Sequence, residues 1–105
     1  MKIAITSIDS KINSKLDKRF GRCAFFAIYD TESKKIDFIN NSNKDLIEDA
    51  GIATVKFLVE KGVNKVISSD FGTKIKPILD SYKIQMIVLK EQNITINKII
   101  QMLNH

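Results

Sequence analysis

Apolar positions change spacing along this chain, and the change divides it into elements. Residues Lys2 to Thr6 alternate and are β-branched, the pattern of a first strand. A polar connection from Ser7 to Cys23 follows, in which Ile8, Ile12 and Leu16 recur at fours and predict a short helical turn. Residues 24–30 and 35–40 read as two further strands, and the polar turn Thr31 to Lys34 makes them an antiparallel hairpin. A helix is expected between Leu46 and Lys61, with Ile52, Val55, Leu58 and Val59 as its apolar face and Gly62 closing it. Residues 65–69 form a fourth strand and Asp70 to Thr73 the turn after it. Ile75, Ile78, Leu79 and Tyr82 then mark a second helix, with Thr73 as N-cap and Pro77 harmless in its first turn. Ile84 to Leu89 is a fifth strand, and Thr95 to Leu103 a last helix with Ile96, Ile99, Ile100 and Leu103 inward.

Helices between the later strands imply right-handed parallel crossovers, and the hairpin sets the second strand antiparallel to the first. The simplest result is a single α/β domain over residues 1–105. It has three layers (α/β/α) around a five-stranded mixed sheet of order 3-2-1-4-5. Such sheets bind ligands beyond the carboxyl ends of their parallel strands. Ser7 to Asp9 and Ser69 to Thr73 leave two such ends side by side, and the starts of the first two helices point the same way. Free N–H groups there favour an anion. The connection through Arg19 and Arg22 must return to that same rim.

Composition adds one concentrated feature. Both arginines and the single cysteine lie within Arg19-Phe20-Gly21-Arg22-Cys23, while positive charge elsewhere is carried by lysine. Guanidinium forks suit multi-oxygen or sulfide-rich anions, and flanking cations would favour the Cys23 thiolate, the metal-binding and nucleophilic form. On that reading the native thiol alkylates faster than that of the unfolded chain. The plainer reading makes Phe20 a core residue, Gly21 a turn and Cys23 a small buried hydrophobe. The net charge of +5 comes from scattered lysines without a block of like charge, which argues against nucleic acid and for a solvated surface. No apolar run approaches a membrane span, nothing at the N-terminus resembles a signal peptide, and one cysteine makes no intramolecular disulfide. The expected location is the cytoplasm.

Metal arithmetic is restrictive. Cys23 and the terminal His105 cannot make a structural zinc site or a four-thiolate iron–sulfur site. One chain could hold a preassembled cluster through a single thiolate, and a homodimer could offer two. Enzyme signatures are absent: there is no Gly-x-x-x-x-Gly-Lys-Ser/Thr, no Gly-x-Gly-x-x-Gly, and no base for Cys23 other than His105. Asp9 and Asp70 could share a divalent metal or be ordinary turn residues.

Taken in order, several segments resemble the dinitrogenase iron–molybdenum cofactor biosynthesis family. They are Lys2 to Thr6, Arg19 to Cys23, Phe25 to Asp30, Asn40, Ala50 to Ala53, Gly62-Val63 and Phe71-Gly72. The likeness covers nearly the whole chain. It implies a ribonuclease H-like fold and a small non-enzymatic carrier or accessory protein for iron–sulfur or iron–molybdenum cofactor precursors. Cluster donor or acceptor proteins would be its partners. The resemblance puts Phe20, Gly21, Arg22 and Cys23 in the loop near the cofactor site and Gly51 and Gly72 at its helix starts; Arg19 and Thr73 on the same rim complete the expected site, with Cys23 as the metal ligand. The chain departs from the family pattern at Tyr82-Lys83, where a small residue and a glycine are usual. It also has no glycine in the loop after the first strand and no histidine in the motif. The alternative is a metal-free binding or regulatory module for an anionic small molecule or protein partner at the same rim.

Overall fold

A computed structural model describes residues 1–104; His105 and the readings that involve it lie outside the described residues. The elements are β1 (Lys2–Ser7), β2 (Phe25–Asp30), β3 (Ile36–Asn40), α1 (Ala50–Glu60), β4 (Lys65–Ser68), α2 (Ile75–Ser81), β5 (Gln85–Val88) and α3 (Ile96–Leu103). The strands form one open sheet of order β3-β2-β1-β4-β5. β1 is antiparallel to β2 and β2 to β3, whereas β1–β4 and β4–β5 are parallel.

Because successive side chains on a strand face opposite ways, β1 feeds two cores at once. Ala4, with Phe26, Ile28 and Val66, meets Val55 and Leu58 of α1 and Ile75 and Leu79 of α2. Ile3 and Ile5, with Ala27, Tyr29 and Ile67, meet Ile96, Ile99 and Ile100 of α3. Two helices therefore cover one face and one helix the other, which is the three-layer α/β arrangement. No helix among the described residues is long and apolar enough to cross a membrane.

Three local expectations are corrected. The segment of Ile8, Ile12 and Leu16 forms no helix. It runs back along the end of β1 through a Ser7–Leu16 bridge, with Leu16 buried and Ile8 and Ile12 exposed. In α1 the buried stripe is Ala50, Thr54, Val55 and Leu58, so Ile52 and Val59 stand outward. Thr73 does not cap α2: the cap position is Lys74, and no side chain bonds the helix start. Lys83, by contrast, has φ 60 between α2 and β5. It adopts the left-handed conformation for which a glycine is favoured.

Among the described residues only α3 has a side-chain cap, the Thr95 hydroxyl accepting from the Lys98 N–H. Thr95→Ala should lower stability by about 1 kcal/mol. Thr73→Ala should leave it within about 0.5 kcal/mol of wild type in urea melts.

Candidate functional site

The long connection between β1 and β2 is fixed by buried polar groups. The Asp17 carboxylate is 7% exposed; it accepts from the Arg19 N–H at 3.1 Å and the Ala24 N–H at 3.4 Å, and it meets Arg19 Nε at 3.5 Å. The Phe20 N–H donates to the Asp70 carbonyl and the Asp70 N–H to the Lys18 carbonyl, so the segment lies along the exit of β4. Phe20 is thereby driven into the core, edge-on to Phe26 at 6.0 Å and tilted over Phe71 at 5.2 Å. On the other flank, Asn41 Nδ2 donates to the Gly21 and Cys23 carbonyls, each at 3.0 Å.

This loop closes on α1 without side chains between them. A Cβ at Gly21 would lie 3.0 Å from the Gly51 backbone, and one at Gly51 would lie 2.4 Å from Ile75 Cδ1. Glycine at both positions lets the loop and the starts of α1 and α2 meet. Where they meet is an open cleft of about 580 Å³, lined among others by Arg19, Phe20, Gly21, Arg22, Gly51, Gly72 and Thr73. Of the residues expected to form the cofactor site, Cys23 does not line it.

One feature makes the cleft receptive to an anion. Asp49, the N-cap residue of α1, lies in the left-handed region at φ 60 and its side chain makes no capping hydrogen bond. The first N–H groups of α1 are therefore left for another acceptor, at the positive end of the helix dipole. Arg19, with its side chain 65% exposed, and Lys74 bring positive charge; Asp49 and Asp70 oppose it. Asp70 Oδ1 accepts from the Gly72 N–H, an ordinary turn contact, and Asp9 caps its own loop through Ser10. No group of three or more His, Cys, Asp or Glu suited to a metal ion occurs among the described residues.

Cys23 contradicts the expectation of a reactive thiolate. It is fully buried, its sulfur 3.7 Å from Asn41 Nδ2. Burial pushes the thiol from 9.0 up to about 12, the Asp17 carboxylate adds to that, and the Asn41 hydrogen bond and Arg19 only partly offset it. The guanidiniums adjacent in sequence point elsewhere, Arg19 to Asp17 and Arg22 to carbonyls of the segment after β3. In this structure Cys23 packs in the core and offers no atom to the cleft.

The profile of a known family, dinitrogenase iron-molybdenum cofactor, matches residues 1–105. The chain belongs to this family. A NifB-like protein from Thermotoga, solved by NMR, is 29% identical and superposes with a TM-score of 0.79 over 98% of this chain and 86% of that one. The apo orange protein of Desulfovibrio gigas shares the fold at a TM-score of 0.90 and 24% identity, over 98% of this chain and 86% of its own. A dinitrogenase-like protein of Methanocaldococcus jannaschii is more distant, at a TM-score of 0.53 and 21% identity over 82% and 72% of the two chains. A comparison with curated proteins gave no match.

Within the family frame, Asp17 and Asn41 are the site residues that sequence reasoning missed. Their signal was faint: an acid and an amide in polar connections, where turn-forming is the usual role. Both are buried, and neither lines the cleft that they shape.

Three measurements follow from this packing. In the unfolded chain the thiol ionises near its ordinary value, and in the folded protein only near 12, so the folded state holds its proton longer. The contribution is fully present below the unfolded value and is lost as pH rises through the interval. Wild type should lose stability about 1.4 kcal/mol per pH unit more steeply than Cys23→Ala across that window. Native protein should also alkylate more slowly than unfolded protein, the reverse of the sequence expectation. Asn41→Ala leaves the buried Cys23 carbonyl without its donor and should cost about 2–3 kcal/mol in urea melts, with the Gly21 and Cys23 amides exchanging first.

Proposed function

We propose that the protein is a non-enzymatic carrier or accessory protein for an anionic metal–sulfur cofactor of the iron–molybdenum or iron–sulfur type. The cofactor is held in the cleft between the Arg19–Arg22 loop and the starts of α1 and α2. Cluster donor and acceptor proteins of the cytoplasm are its partners, and the ribonuclease H-like arrangement implied by the resemblance is its frame. The observation that carries the reading is the cleft wall: bare N–H groups of α1, close-set glycine backbone and an exposed arginine. This donor set fits a self-contained anion, whose sulfide or oxide surface accepts hydrogen bonds and charge. It does not fit a cluster that needs thiolates from the chain, because the only thiol is buried and protonated. Cys23 therefore has a packing role in this reading, and the metal is enclosed in its own ligands.

The test is anaerobic incubation with iron, molybdate and sulfide, or with a loaded cluster donor, followed by metal and sulfide analysis. Wild type and Cys23→Ala should load alike. Arg19→Gln should bind about fivefold more weakly, the loss of roughly 1 kcal/mol for one exposed charge-assisted contact. Loss of loading in Cys23→Ala would mean that the thiol swings out as a ligand. Should wild type take up no metal yet be stabilised by phosphate, the cleft would belong to a metal-free anion-binding module.

A further inference from the structure

We propose that Arg22 is a two-position clamp through which an anion in the cleft alters the adjoining loop, residues 44–49. The proposal rests on the reading that an anion enters the cleft. Arg22 lines the cleft, yet its guanidinium is engaged by carbonyls of the segment after β3. Nη1 donates to the carbonyls of Lys44 and Leu46, each at 2.8 Å, and Nη2 to that of Ile47 at 3.5 Å. One side chain thus gathers three carbonyls of a segment whose own ties are weak. These are a turn bond from the Lys44 N–H to the Asn41 carbonyl at 3.3 Å, and one from the Leu46 N–H to the Asn43 carbonyl at 3.2 Å.

What the clamp holds is unusual surface. Ile47 is 94% exposed and Leu46 40% exposed, an apolar tip between the acids Asp45 and Glu48 on a protein of net positive charge. The segment ends in Asp49, left-handed at φ 60 and on the cleft rim, where its charge opposes an anion.

Three terms therefore change together when an anion arrives. A guanidinium binds a dianion more strongly than it binds neutral carbonyls. Arg22 is exposed and can turn without disturbing the core. Once the carbonyls are released to water, the turn loosens and Asp49 is free to leave both the rim and its strained conformation. Occupancy of the cleft is then displayed as a changed Leu46–Ile47 tip. Its reader would be a protein with an apolar socket flanked by basic groups. By linkage, a reader that favours the released loop tightens anion binding, and one that favours the clamped loop expels the anion.

The test needs only labelled protein titrated with molybdate or inorganic phosphate at constant ionic strength. NMR shifts of the Gly51 and Gly72 amides report binding, and hydrogen exchange of the Leu46 amide reports the turn. Saturation should speed Leu46 exchange about fivefold or more, the scale of a turn that has lost its external ties. Arg22→Gln should exchange at the fast rate already without anion and show no further response. Arg22→Lys, which keeps the charge and loses the fork, should bind anion without coupling, a check that does not depend on one variant folding. Asp49→Asn keeps a residue tolerant of the left-handed turn and should bind anion several-fold tighter. Shifts at Gly51 with unchanged Leu46 exchange would overturn the clamp and leave the anion reading standing. Absence of any Gly51 shift would overturn both.

Discussion

The chain from Ile8 to Ala24 has no regular secondary structure to hold it, so its shape depends on buried polar side chains and on backbone bonds to the ends of three strands. Thr6 at the end of β1 donates its hydroxyl to the Asp17 carbonyl at 2.7 Å, and the Asp17 carboxylate in turn gathers N–H groups at both ends of the Arg19–Cys23 segment. Asn41, just past β3, ties down the other flank, and the backbone of Asp70, just past β4, pairs with Lys18 and Phe20. Satisfied groups of this kind are specific as well as stabilising, since each would be costly if left without a partner in a low dielectric. Phe20 supplies the apolar half of the anchor. It is 1% exposed and could not reach Phe26 and Phe71 if the polar ties slipped by a residue.

The cleft follows from that anchoring. Once the loop is pinned, the Gly21 backbone abuts that of Gly51, and the Ile75 side chain of α2 packs against Gly51, so the loop and α1 meet with no side chain between them. The exposed donors at such a junction are main-chain N–H groups, whose direction is set by the fold and not by rotamers. A site of this construction recognises charge and shape more than chemical identity. The same crowding decides which stripe of α1 is inward: small Ala50 and Thr54 allow the helix close to the loop, and Ile52 is left facing out.

Much of the fold was legible because strand and helix periods are strong signals and the connections allow few topologies. The sheet order, the antiparallel hairpin and α3 emerge as the pattern predicts. Helix faces were less legible. The expected stripe of α1 shares Val55 and Leu58 with the observed one, and periodicity alone cannot choose between neighbouring stripes that overlap. The expected Thr73 cap failed because α2 begins one residue later, at Ile75, which puts Lys74 at the cap position. Of the site, the cleft-lining residues were readable from where strands end. The state of Cys23 was not. Adjacency in sequence put two guanidiniums beside the thiol, but alternation along the chain sends Arg22 out to solvent and Cys23 inward. Charges act through space, and the charge that acts most on this thiol is the buried Asp17.

A buried cysteine is consistent with a carrier's need to release its cargo. A thiolate bound to metal makes a strong, pH-dependent bond, and breaking it requires a competing ligand or a proton. Hydrogen bonds and guanidinium contacts to an anion are individually weaker and are lost one at a time, so a site made only of them can exchange its ligand without ligand substitution at the metal. The same construction keeps the lone thiol from oxidant and from stray metal, because only an exposed, ionised sulfur reacts readily. The cost is selectivity, since a rim of N–H groups and one arginine distinguishes anions poorly. Under the proposed carrier role, discrimination among anions falls to the shape of the open cleft and to the proteins that would load and unload it.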